Sequence, residues 1–133
     1  MDITLHHIEF TGETVAPTSK SAAHRLLIAA AFADGPSRMR LNGAGEDIAA
    51  TVRCLSAMGA DFCEETRDGL TWLYITPVTN PRDGVVADCG ESGSTLRFFV
   101  PIVAALGTGA RFGRRGRLPQ RVMPHSSSPS TAA

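Results

Sequence analysis

Pro17-Thr18-Ser19-Lys20-Ser21-Ala22-Ala23-His24-Arg25 leads from a loop into an Ala- and Leu-rich run that reaches Ala33 and meets Asp34-Gly35-Pro36. Good helix formers with a Gly-Pro stop behind them predict a helix over residues 19–33. The first turn of any helix carries backbone N–H groups without partners, and the macrodipole adds positive potential there. Lys20 contributes a full charge and Ser21 a hydroxyl donor. Arg25 falls on the same face as Ser21, one turn later. Phosphate or carboxylate is what such an arrangement holds well. The same spacing equally suits a Ser N-cap followed by solvated basic residues.

Outward from this segment the elements alternate. Residues 3–10 are short, β-rich and loosely alternating, which predicts a strand, and 12–18 form a loop. After the helix, 38–41 read as a strand. Glu46-Asp47 then opens a second helix, with Ile48, Val52 and Leu55 on one face and Gly59 as terminator. Residues 61–67 and 70–76 flank Arg67-Asp68-Gly69 and predict a β-hairpin, with Trp72 and Tyr74 as core or sheet-face residues. A strand at 85–88 runs through Cys89-Gly90-Glu91-Ser92-Gly93-Ser94 into an apolar helix over 95–106. One more strand follows near 110–112. The order β-α-β-α-β-β, then β-α-β, predicts an α/β (α+β) fold with a partly repeated unit.

The chain has 133 residues, 43% of them apolar and 20% charged, with zero formal net charge. That is ordinary globular composition for one domain. No stretch reaches the roughly 18 apolar residues of a membrane span, and Met1-Asp2-Ile3-Thr4 does not read as a secretory signal. Cys54, Cys63 and Cys89 show no CxxC spacing; they read as buried, reduced thiols of a cytoplasmic protein. Charge is uneven along the chain. Residues 1–99 carry a formal −5, while 100–133 hold five arginines and no acid. A segment that basic meets an anion or lies against an acidic surface. The balanced whole argues against a nucleic-acid partner.

Two further constellations carry chemistry. In Gly90-Glu91-Ser92-Gly93-Ser94-Thr95-Leu96-Arg97 a strand again gives way to a hydroxyl-rich turn and a helix start. Gly93 admits close approach of a ligand, while the hydroxyls and Arg97 supply donors. The plainer reading is a capped turn with Arg97 paired to an internal carboxylate. No GxxxxGK[ST] or GxGxxG is present, so nucleotide folds gain no support. The last constellation is the arginine run ending in Leu118-Pro119-Gln120-Arg121-Val122-Met123-Pro124. There Arg121 can grip an anion, while Arg111, Arg114, Arg115 and Arg117 read as solvated loop charge. The four histidines (6, 7, 24 and 125) lack metal-ligand spacing, and His24 reads as a helix-surface or buried hydrogen-bonding residue. Asp47 reads as a helix-start residue. Residues 125–133, Ser-rich and without periodicity, read as a disordered tail behind a partial domain of 1–124.

Taken in order, Pro17-x-Ser19-Lys20-Ser21-x-x-x-Arg25, Glu46-Asp47-Ile48-x-x-Thr51, Met58-Gly59-Ala60, Asp88-Cys89-Gly90-Glu91-Ser92-Gly93-Ser94-Thr95-Leu96-Arg97-Phe98 and Arg121-Val122-Met123-Pro124 resemble the start of the 5-enolpyruvylshikimate-3-phosphate (EPSP) synthases. The resemblance implies lobes of repeated βαβαββ units, here one incomplete lobe. It implies transfer of the carboxyvinyl group of phosphoenolpyruvate to the 5-hydroxyl of shikimate 3-phosphate, with no metal or organic cofactor. By the same resemblance Lys20 contacts both substrates and is the catalytic residue of this segment, and Ser21 and Arg25 bind shikimate 3-phosphate. Gly93 and Arg121 line the phosphoenolpyruvate site, with Glu91, Ser94 and Arg97 beside them. Family members are roughly three times longer and usually monomeric. The resemblance thus implies a truncated or frame-changed chain, inactive alone, with exposed faces prone to self-association.

Two departures stand out: Glu91 where the family commonly has Asn, and Val122 where it usually has Pro. A carboxylate at position 91 must face away from an anion or pair with a cation such as Arg97. The alternatives are the sister family acting on UDP-N-acetylglucosamine, whose segment carries Lys-Asn and lacks a counterpart of Arg25, and a non-catalytic phosphometabolite- or RNA-binding module using residues 113–117. For the second, only Phe112 supplies a nearby aromatic.

Overall fold

A computed structural model describes Thr4, Glu9, residues 11–43 and residues 45–120. Apart from Thr4 and Glu9, the strand expected at 3–10 lies outside the described residues, as do Arg121 and the Ser-rich tail. Helix α1 (Lys20–Ala31) begins at an N-cap, Ser19, whose side chain accepts from Ala22 N. Strand β1 (Ser37–Leu41) follows, then helix α2 (Glu46–Met58), with acids in its first turn where the helix dipole favours them. Gly59 ends α2 at φ 116°, a conformation that L side chains resist; Gly59 N and Ala60 N return to Ser56 O and Leu55 O at 3.1 Å.

Strands β2 (Asp61–Arg67) and β3 (Leu70–Thr76) form the expected hairpin. Its turn residues, Asp68 and Gly69, both have positive φ (53° and 72°), which matches the twist of the flanking strands. Strand β1 pairs antiparallel with the other edge of β3, giving the order β1-β3-β2. Leu73 and Ile75 point into the core. Trp72 and Tyr74 stand on the opposite face, with the Arg38 guanidinium 5.4 Å from the Trp72 ring centroid, so they are sheet-face and not core residues.

Strand β4 (Val85–Asp88), helix α3 (Gly93–Leu106) and strand β5 (Ala110–Gly113) make a parallel βαβ unit. A short 3-10 turn follows over Leu118–Gln120. The helix starts two residues earlier than the sequence suggested, because Ser92 caps it through Thr95 N. Leu27, Leu55, Met58, Ile75, Phe99 and Leu118 are fully buried and join all these elements in one core. Cys54 and Cys89 are buried thiols with Sγ atoms 3.9 Å apart, and their hydrogen bond, then burial, pushes the Cys54 thiol up. Cys63 is exposed, against expectation, because it lies on the solvent face of β2. Among the described residues no helix is long and apolar enough to cross a membrane.

Gly59→Ala places a Cβ on a left-handed residue in otherwise ordinary van der Waals space. The expected loss is about 1–2 kcal/mol of unfolding free energy, read from denaturant midpoints; an unchanged midpoint contradicts this account of the helix stop.

Candidate functional site

The N-termini of α1, α2 and α3 converge. Lys20, first residue of α1, forms an ion pair and hydrogen bond with Asp47, second residue of α2. Both side chains remain partly exposed, so the pair is worth little as stability and serves to place the charge. The Lys20 ammonium holds the Asp47 carboxyl below the usual carboxylate range, with the Ser92 hydroxyl adding to this and burial opposing it. Asp47 is therefore more than the helix-start residue its position suggested. What the sequence could have signalled is a second acid beside Glu46 facing a lysine.

Between the three helix starts opens a polar cleft of about 350 Å³ lined by Lys20, Glu46, Asp47, Glu91, Gly93, Ser94 and Arg97. Gly93 and Ser94 are the first two residues of α3, where backbone N–H groups precede the first intrahelical bond. Arg97, one turn on, is exposed and in ion-pair reach of no carboxylate among the described residues. The plainer sequence reading, with Arg97 locked to an internal acid, is thereby overturned. A slightly larger hollow of about 370 Å³ lies over α1 and β1; it is lined mainly by apolar side chains (Leu26, Ala29, Ala30, Ala33, Met39 and Ile75), with Ser37 and Arg38 as its polar members and no helix start opening into it.

Five of the proposed site residues (Lys20, Glu91, Gly93, Ser94 and Arg97) are thus brought together. Ser21 and Arg25 are exposed on α1 and do not line this cleft. Arg121 lies outside the described residues. Glu91 does not pair with Arg97. Its carboxylate leans over Gly116, where φ is +55° and any side chain would collide with it.

The turn that carries Glu91 is braced from behind. Asp88 Oδ1 accepts from Gly90 N at 3.1 Å, and Arg115 donates to Asp88 Oδ2 at 2.6 Å. Arg115 N also donates to Gly90 O at 2.8 Å, and Arg53 stands 3.9 Å from Asp88. Gly90, at φ +55°, makes the turn possible. Arg115 is 73% exposed, as a solvated loop charge should be, yet it also braces this turn; a non-local partner 27 residues away left no local signal of that.

A row of buried hydroxyls beneath the cleft also went unread. Thr51, Ser92 and Thr95 are at most 2% exposed, and His24, 1% exposed, hydrogen-bonds to Thr51 through Nδ1 at 2.7 Å. Burial pushes the His24 imidazole below its ordinary value, against the attraction of Asp47. This is the buried hydrogen-bonding role, and not the surface one.

Residues 7–116 match the profile of the family described as EPSP synthase (3-phosphoshikimate 1-carboxyvinyltransferase). The chain belongs to the EPSP synthase family. It is 36% identical over 121 residues to the 3-phosphoshikimate 1-carboxyvinyltransferase of Clostridium beijerinckii, covering 85% of this chain and 27% of that protein. It is 34% identical over 129 residues to the enzyme of the same name from Clostridioides difficile, covering 90% of this chain and 29% of that one. An EPSP synthase structure from Acinetobacter baumannii superposes with a TM-score of 0.67 at 23% identity, over 83% of this chain and 25% of its own, and shows the same fold. The chain thus spans between a quarter and three-tenths of the length of these relatives. Their names agree with the shikimate reading of Lys20-Ser21 over the UDP-sugar one.

Lys20→Met should raise the Asp47 carboxyl toward its ordinary value, measured by 13C carboxylate titration. Because the folded-state value is depressed, the pair's contribution is present above the ordinary carboxylate range and is lost as pH falls through the lowered midpoint. A variant in which Asp47 titrates as before would contradict the pairing.

Proposed function

We propose that this chain forms one wall of a site where the carboxyvinyl group of phosphoenolpyruvate passes to the 5-hydroxyl of shikimate 3-phosphate. The observation that carries this reading is the polar cleft at three converging helix starts, in a chain that belongs to the EPSP synthase family. Both substrates are anions that repel each other, so bringing them together calls for fixed cations and oriented N–H groups in place of water. In this reading Lys20 lies between the two ligands and touches both. Ser21 and Arg25, exposed on α1 outside the cleft lining, take shikimate 3-phosphate. Gly93 and the α3 N-terminus face phosphoenolpyruvate, together with Arg121, while Ser94 and Arg97 supply additional donors.

The cleft as it stands carries three carboxylates (Glu46, Asp47 and Glu91) against two cations. Asp47 is engaged with Lys20, and Glu46 lies 4.0 Å from Arg53 at the outer edge. Net attraction for a dianion then rests on Arg97, the helix dipole and the partly committed Lys20. That is enough for weak binding and too little for catalysis. The acid–base groups and the facing cations fall to the remaining length of the family's chains.

Two outcomes test the reading. Purified residues 1–133 should release no phosphate from phosphoenolpyruvate and shikimate 3-phosphate; steady-state turnover by the isolated chain would sink the half-site account. The chain should bind inorganic phosphate weakly, and Arg97→Ala should reduce that affinity about tenfold, the effect of losing one charged hydrogen bond worth about 1.4 kcal/mol. Affinity unchanged by Arg97→Ala would remove the cleft as the anion site.

A further inference from the structure

Cys54, within α2, and Cys89, the residue after β4, bring two free thiols together in the core. Both are fully buried, and their sulfurs lie 3.9 Å apart. Cys89 Sγ donates to Ala87 O at 3.8 Å. With that hydrogen committed to a carbonyl, the contact between the sulfurs is a donation from the Cys54 thiol to Cys89 Sγ. A disulfide holds its sulfurs about 2.05 Å apart, so a closure of roughly 2 Å separates this contact from a covalent bond. Cys63 is exposed on the solvent face of β2, away from the core pair.

The two sides of the gap differ in freedom. Cys54 is held by helical backbone before and after it. Cys89 opens the turn that leads through Gly90, at φ +55°, to the Ser92 cap of α3. Closure therefore draws the turn toward the helix. There is little slack in that direction. A Cβ on Gly90 would already stand 3.3 Å from the Arg53 guanidinium, which itself lies 3.9 Å from Asp88. The route to the thiols is short. Arg53 and Gly90, their chain neighbours, both line a hollow of about 290 Å³ that shares Glu46, Asp47 and Glu91 with the cleft. A small uncharged oxidant in that hollow stands one residue from each thiol, whereas burial keeps bulky oxidants out.

We propose that Cys54 and Cys89 form a reversible redox pair, which a peroxide joins as a disulfide that pulls the turn over residues 89–92 toward α2. Cys89 reacts first. Its thiolate sulfur bonds to one peroxide oxygen, the O–O bond breaks, and the departing hydroxide leaves as water with the thiol proton. The product is a sulfenic acid on Cys89. The hydrogen bond from Cys54 favours this order, because it lowers the Cys89 thiol against the opposing effect of burial. The Cys54 sulfur then attacks the Cys89 sulfur. An S–S bond forms, the S–O bond breaks, and hydroxide leaves as a second water with the Cys54 proton. Two thiols and one hydrogen peroxide thus give one disulfide and two waters, the sulfurs losing the two electrons that the oxygens gain. A dithiol reductant reverses the bond by exchange. Any loss of phosphate affinity on oxidation rests on the cleft reading above. The bond and the displaced turn do not, so the two can fail separately.

The full chain carrying Cys63→Ser is treated while folded with hydrogen peroxide, at a dose that fully oxidises Cys63 in the parent, then quenched, unfolded and alkylated. The expected product has lost two hydrogens and takes up no alkylating group. Digestion should yield peptides joined through Cys54 and Cys89, which dithiothreitol separates. Amide resonances of Gly90, Glu91 and Ser92 should shift on oxidation and return on reduction. With Cys54→Ser added, Cys89 should gain oxygen, trapped by dimedone as the sulfenic acid. Thiols still open to alkylation after peroxide overturn the proposal, as do sulfurs oxygenated without a link. So do turn amides unmoved by the disulfide, and a Cys89 without oxygen in the Cys54→Ser chain.

Discussion

Thr51 is where the three helices meet, and its burial constrains everything built above it. Its hydroxyl touches His24 of α1 and Thr95 of α3 from the middle of α2. A polar group in a dry core must be satisfied, and a network of such groups tolerates few arrangements. The helices therefore cannot slide past one another without stranding donors in the interior. Apolar packing of Leu27, Leu55 and Phe99 supplies the drive for burial, but it is non-directional. The hydroxyl row supplies the register. The register in turn places the first residues of α1, α2 and α3 around one cleft.

Much of this was legible in the residues. The Ala-rich run after Lys20, the Ile48/Val52/Leu55 face and the Asp68-Gly69 turn each carry a local signal, and the structure follows them to within a residue or two. Four cleft residues (Lys20, Gly93, Ser94 and Arg97) could likewise be named, because small residues, hydroxyls and cations at helix starts have local meaning; Glu91 was marked only by its departure from the family pattern. The features that escaped depend on distance along the chain. Arg115 and Asp88 are 27 residues apart, as are His24 and Thr51, and Thr51 and Thr95 are separated by 44. Nothing in the neighbourhood of a threonine in mid-helix says that it will face another threonine in the core. For Trp72 the residues alone left core and sheet face both open, because a large aromatic in a strand suits either; the core side is taken by Leu73 and Ile75.

The cleft is organised by helix ends and by acids that restrain its cations. Asp47 occupies Lys20, and Glu91 turns toward the Gly116 backbone and leaves Arg97 alone. A carboxylate at position 91 is thus accommodated through a glycine on the neighbouring loop, held in place by the Arg115–Asp88 pair. In the proposed reading such a site receives an anion without being saturated by its own side chains.

The account stands or falls on where an anion goes. A titration of 15N-labelled chain with phosphoenolpyruvate, followed by amide shifts, locates it residue by residue. The account predicts saturable shifts concentrated at Lys20, Gly93, Ser94 and Arg97, with the amides lining the apolar hollow at Ala29 and Ala30 unmoved. Shifts confined to the exposed arginines at 111, 114 and 117 would contradict it, because the anion would then be following bulk charge and not the helix starts.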